Sequence, residues 1–243
     1  LTNAVKQRYG ALAERAGKRG LEASENKASD KFYSDSQCSI IPDEAAGAST
    51  GSGNPLAYAD VVAGETILDL GSGGGIDCLL LSSSVGDSGR VIGVDMTPRM
   101  VSLARDNARK LELANVVFKR GHIEQIPQDE TSVDLVISNG VISQSEWKHM
   151  VFSEMFRVLK PGGRFVISDL VTDELLPDSI RDSTGQWVEG VGGAAVRSAY
   201  LRMIESAGFV DVEIVDERPG PNGTEEWRHL VKSLTIKASK PLG

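Results

Sequence analysis

Asp69 stands two residues before a run of five small residues, Gly71-Ser72-Gly73-Gly74-Gly75, and a second carboxylate, Asp95, follows Gly75 by 20 positions. Glycines strip Cβ atoms from a turn, so that backbone can approach a ligand closely. The start of a following helix adds free N–H groups. Such a turn serves either a dinucleotide or an adenosylated amino acid. The dinucleotide fingerprint Gly-x-Gly-x-x-Gly, counted from Gly71 and Gly73, needs glycine where the chain has Ile76. This spacing disfavours a nicotinamide dehydrogenase. A carboxylate at Asp69 repels a pyrophosphate and suits an α-ammonium group. Asp95 can accept hydrogen bonds from both hydroxyls of a ribose. The pair points to a cationic amino acid joined to a nucleoside.

Other residues complete that reading. Met96 would lie against the adenine face, with Ile123 as an apolar cover. His122 either reaches the adenine edge or sits half-exposed in its loop. Ser138-Asn139-Gly140 closes a strand, and Asn139 can present a backbone or side-chain oxygen to the amino-acid part. For an oxygen or nitrogen acceptor a base is useful; the candidates are His149 and Glu146, then Asp169 and Glu189. Each has a plainer reading, as a surface residue near a helix start, a strand end or a solvated loop charge. A thiol acceptor ionises readily and needs none. Trp187 reads equally as an aromatic wall of an acceptor pocket or as a core anchor.

The elements that must position these residues follow from the apolar pattern. Residues 66–70 form a short apolar strand, then the glycine turn, then a helix over 76–85. Strands follow at 90–94, 116–119, 133–138 and 164–168. A helix over 98–111 opens with Thr97 as N-cap and Pro98 in the first turn. Another spans 147–159, stopped by Lys160-Pro161-Gly162-Gly163. Alternating strands and helices predict parallel β-α-β units with strand C-termini on one ligand-binding edge. A helix over 198–207 and two late, antiparallel strands at 210–215 and 234–238 follow. The expected fold is α/β: a doubly wound, seven-stranded, mostly parallel sheet. Residues 2–18 read as a helix and 20–55 as irregular with one short helix, so residues 1–60 form a cap or lid. Residues 61–243 form the binding domain, interrupted at 172–197 by an acceptor insertion.

Composition narrows the partners. With a formal net charge of -8 the chain lacks the basic face expected for nucleic acid or an anionic membrane. No apolar run approaches the length that spans a bilayer. Cys38 and Cys78 make neither a metal-ligand cluster nor a disulfide framework; the usage suits a reducing cytoplasm, and no metal is expected. Cys78 beside Leu79, Leu80 and Leu81 reads as buried packing. The partner expected is a small-molecule acceptor; the sequence leaves the oligomeric state open.

Together these segments resemble class I S-adenosylmethionine methyltransferases. The matching series is Ile67 to Gly75, Val91 to Pro98, Val133 to Asn139, and Phe156 to Gly163. The resemblance implies S-adenosyl-L-methionine as cofactor, a Rossmann-like methyltransferase fold, and methyl transfer. A narrower similarity, to arsenite methyltransferases, rests on Val5-Lys6-Gln7-Arg8-Tyr9-Gly10, Gly53-Asn54-Pro55, Gly93-Val94-Asp95-Met96-Thr97 and Gly192-Gly193-Ala194. It implies that Tyr9 closes over the methionine end of the cofactor; a core aromatic is the plainer reading. Those enzymes hold trivalent arsenic through cysteine thiolates, as a soft metalloid requires. Here Gly140 and Gly190 or Val191 stand where the family has cysteines, Ser52 stands where it often has one, and no cysteine motif occurs around residues 13–20. The expectation is a methyltransferase for a small organic acceptor. The alternatives are a metalloid methyltransferase supplied with external thiols, and a cofactor-binding protein without methyl transfer.

Overall fold

The computed structural model describes residues 1–18, 32–221 and 223–243. The part of the cap expected at residues 19–31 lies outside the described residues. In the rest of that segment the chain forms helix α1 (Thr2–Lys18) and two short helices, α2 (Asp35–Cys38) and α3 (Asp43–Gly47), where one was expected. Ser34 caps α2, its side chain accepting from the Gln37 N–H while Gln37 bonds back to the Ser34 N–H, the reciprocal pattern of a capping box.

The sheet starts with β1 (Thr66–Leu70), whose Ile67, Leu68 and Leu70 are all fully buried. A strand apolar on both faces must be covered by helices on both sides. Helix α4 (Ile76–Val85), β2 (Arg90–Asp95), α5 (Pro98–Lys110), β3 (Val116–Arg120) and β4 (Val133–Asn139) follow. After them come α6 (Lys148–Val158), β5 (Leu159–Thr172), α7 (Asp178–Arg181), α8 (Thr184–Val188), β6 (Ala195–Val196), α9 (Arg197–Ser206), β7 (Val210–Pro219) and β8 (Val231–Ser239). The strand order is β3-β2-β1-β4-β5-β8-β7; β6 pairs with the end of β5. β1 to β5 run parallel, and β8 is antiparallel to both β5 and β7.

This is the expected doubly wound sheet, with three differences. The two-residue β6 is an eighth strand, where Ala195 and Val196 extend the sheet beside Val171 and Thr172. β5 begins at Leu159, so Pro161 and Gly162 lie inside the strand as an irregularity: pairing with β4 jumps from Val133–Leu159 to Leu135–Arg164. β7 is longer than expected because its partly exposed end, Asp216 to Pro219, carries polar residues that mask the apolar signal; β8 runs from Val231 to Ser239. Thr97 occupies the N-cap position of α5, but its side chain makes no capping bond.

Two buried clusters cover the sheet faces. One centres on Phe152, Met155, Phe165 and Tyr200, the other on Leu79, Val101, Phe118 and Leu135. Helix α1 lies over the strand ends and is fixed by Ala13 and Ala16, which pack with Met100 and Leu103 of α5. Parallel register brings Leu70 level with Val94 and Ser138. The chain turns to opposite sides after β1, so the crevice that ligands use opens above its C-terminus.

Candidate active site

A cavity fills that crevice. Tyr9, Asp69, Gly71, Ser72, Gly73, Asp95, Met96, His122, Ile123 and Asn139 all line it, as the sequence suggested. Gly75 does not: it sits under the Phe118 ring, where a Cβ would come within 2.9 Å, and serves helix packing.

The floor is bare backbone with carboxylates around it. Gly73 has φ +50° and nothing within 4 Å of where its side chain would begin, so the turn is open to a ligand. Asp95 accepts from the Gly73 N–H at 3.0 Å through Oδ2 and from the Thr97 N–H at 2.8 Å through Oδ1. Burial pushes the Asp95 carboxyl above its ordinary range, and these backbone bonds oppose the push. Each carboxylate oxygen has lone-pair capacity for a further donor, as a ribose diol requires.

Asp69 and Asp77 make the second acidic feature. Burial and the neighbouring Asp77 hold Asp69 well above the usual carboxylate range, and burial raises Asp77 to about 6. The Cys78 thiol donates to Asp69 Oδ2 at 3.3 Å, and burial pushes that thiol up in turn. No described cation pairs with Asp69, Asp77 or Asp95. Buried carboxylates without a counter-ion favour a cationic occupant, which fits the sulfonium and ammonium of S-adenosylmethionine.

The Asn139 side chain is committed to the protein. Its Oδ1 accepts from the Ser52 N–H at 2.8 Å and the Gly53 N–H at 3.1 Å, while Nδ2 donates to Gly53 O at 2.9 Å and to the Tyr33 hydroxyl at 3.1 Å. The side-chain oxygen expected to face the methionine part is thus occupied by the N-terminal segment. Tyr9 also lines the cavity: its hydroxyl shares a bond with Thr50 Oγ1 at 2.9 Å and accepts from Gln144 Nε2 at 2.8 Å.

The four base candidates lie away from the cavity lining. Helix α6 turns Lys148, Val151, Phe152 and Met155 inward. His149, one residue out of phase, is exposed and meets Trp147 edge-on at 6.1 Å; Glu146 is exposed as well. Asp169 is buried and committed to the protein, accepting from the Ser143 N–H at 2.7 Å, the Leu170 N–H at 2.9 Å and the Tyr200 hydroxyl at 2.9 Å. Glu189 is exposed, 3.7 Å from Arg8. Trp187 acts as an anchor: its indole N–H donates to Gln144 O at 3.0 Å and its ring lies against Gly193.

Sequence reasoning missed Tyr33, Asp77, Thr50, Gly51 and Gln144, all in the lining. Only Asp77 carried a signal, as a lone carboxylate at the start of an apolar helix.

The comparisons with known proteins agree with this geometry. Residues 62–208 match the methyltransferase domain family. An arsenite methyltransferase of Halobacterium salinarum is 42% identical over 198 residues, which cover 79% of this chain and 50% of that one. The human arsenite methyltransferase is 37% identical, over 61% of this chain and 42% of that one. This chain thus spans about half the length of the curated relatives it matches. The crystal structure of an arsenic(III) S-adenosylmethionine methyltransferase from Chlamydomonas reinhardtii superposes with a TM-score of 0.71 at 33% identity, covering 79% of this chain and 68% of that one. With the glycine floor and its ring of carboxylates, these matches place the chain in the S-adenosylmethionine-dependent methyltransferase family.

Proposed function

We propose that this protein transfers a methyl group from S-adenosylmethionine to a small organic acceptor, without holding trivalent arsenic on its own thiolates. When bound, the cofactor supplies a methyl group already activated by its sulfonium. The protein's task is then alignment and exclusion of water. Asp95 would receive the ribose hydroxyls, Met96 and Ile123 the adenine faces, and Asp69 with Asp77 the cationic amino-acid end. Tyr9, held by Thr50 and Gln144, would cover the methionine end. His149 and Glu146 stay proposals only for a base that acts after local rearrangement, because both now face solvent.

One observation carries the choice of acceptor. Gly140 stands where one thiolate ligand would be expected and Gly190 or Val191 where another; the two glycines have φ of +73° and +82°. A side chain is strained in that region, by about 1–2 kcal/mol. A Cβ on Gly140 would also sit 3.3 Å from Ser52 N, and one on Gly190 3.1 Å from Ser143 Oγ. Ser52 Oγ is itself turned away to donate to Ser168 O at 3.1 Å. Gly140→Cys is expected to lower stability by about 1–2 kcal/mol in denaturant unfolding and to create no tight arsenite site.

The test is turnover with labelled cofactor. Release of S-adenosylhomocysteine with organic acceptors, and absence of stoichiometric arsenite binding, support the reading. Tight arsenite binding with methylation would reject it. The similarity to arsenite methyltransferases favours a second reading, methylation of arsenite delivered as thiol complexes. Arsenite turnover that depends on added glutathione would establish it. Cofactor binding with no transfer to any acceptor would leave the non-catalytic alternative.

A further inference from the structure

Tyr33 belongs to no motif, yet it joins three separate parts of the molecule at the cavity wall. It is 7% exposed. Its hydroxyl donates to Asp77 Oδ1 at 2.6 Å and accepts from Asn139 Nδ2 at 3.1 Å. A phenol has one proton to give, and here a carboxylate takes it. The Asn139 amide cannot be reversed, because its oxygen faces two backbone N–H groups, of Ser52 and Gly53. The amide therefore presents hydrogen to Tyr33 and forces the phenol proton toward Asp77. One chain of bonds thus runs from the N-terminal segment, through β4, to the first turn of α4.

We propose that Tyr33 is a positioning residue for the cofactor: its hydroxyl aims the Asp77 carboxylate into the cavity and makes capture of the cationic end depend on the docked N-terminal segment. The inference rests on reading the cavity as the S-adenosylmethionine site. The surroundings support it. The groups facing Asp77 are Tyr33 and Asn139, which favour its charged form, and Asp69, which Asp77 in turn pushes upward. The Cys78 thiol donates to Asp69, and Asp95 acts on Asp69 from β2. With burial working against the charge, the Tyr33 hydroxyl is one of two side chains that sustain it.

The experiment is Tyr33→Phe, which deletes one hydroxyl and keeps the ring in its apolar seat. Calorimetric affinity for S-adenosylmethionine is measured between about pH 5 and 8. The expected result is about tenfold weaker binding at neutral pH. The fall in affinity toward acid should also begin at higher pH, since the carboxylate has lost a donor. Tyr9→Phe, which removes a hydroxyl bonded to Thr50 and Gln144, should leave that acid limb in place. In Asp77→Asn, adding Tyr33→Phe should cost little more, because both act through one group.

An unchanged acid limb with affinity within about twofold of the parent overturns the proposal, as do losses that multiply in the double variant. A parent protein with no affinity for the cofactor would overturn the reading of the cavity itself, a different and recognisable outcome.

Discussion

Replacing Asp95 with alanine is expected to weaken S-adenosylmethionine binding by about two orders of magnitude or more, with isothermal calorimetry as the measurement. Two hydrogen bonds from a ribose to a buried carboxylate would be lost together, each worth about 1.5–3 kcal/mol. The same carboxylate holds the Gly73 and Thr97 N–H groups, so its removal also loosens the floor of the cavity. A loss smaller than about tenfold would mean that Asp95 serves the turn and not the ligand. Circular dichroism of the free variant guards against simple unfolding, because β2 is otherwise held by its apolar residues Val91, Ile92 and Val94.

The second large effect has opposite signs for stability and binding. Asp77 is raised from 3.8 to about 6 in the folded protein. The folded chain therefore binds a proton more readily than the unfolded chain between those values. Its contribution to stability is best below about 3.8, declines as pH rises toward 6, and stays at its least favourable above that. The shift corresponds to a penalty of about 3 kcal/mol at neutral pH. Asp77→Asn is neutral and still accepts from Tyr33. It is expected to stabilise the free protein by up to about 3 kcal/mol at pH 7, with no gain near pH 4. Affinity for the cationic cofactor should fall about tenfold or more. Its acid limb should move down, because Asp69 loses a repelling neighbour. Denaturant unfolding at the two pH values checks the first part; equal stability of parent and variant at both would refute it.

That opposition explains a limit of the sequence. β1, β2 and β4 were legible as short, mostly apolar runs because their apolar residues are buried on both faces, and the glycine turn because bare backbone is needed there. Asp69 and Asp95 were legible from their fixed distance to that turn. Tyr33 was not. It comes from a polar stretch without periodicity and meets Asp77 and Asn139 across 44 and 106 residues, a proximity that only folding creates. His149 was misplaced by helical phase: the apolar stripe of α6 assigns the inward face to Val151, Phe152 and Met155. Glu146 precedes that helix and is exposed. The long end of β7 escaped because a half-exposed strand carries charges that look like loop.

The thread Gly51-Ser52-Gly53 has a consequence for how the protein can be divided. Ser52 is stitched on three sides: its N–H to Asn139, its hydroxyl to Ser168 O, and its carbonyl to the Ser233 hydroxyl at 2.6 Å. Gly53 lies so close to Ser168 that a Cβ would come within 2.7 Å of its hydroxyl. Residues 51–53 and β8, which flank the matched segment 62–208, are therefore sewn to each other across its sheet. A version trimmed to the matched segment would expose the raw side of β5 and lose one wall of the binding crevice, so the segment that matches the domain family is smaller than the unit that builds the crevice.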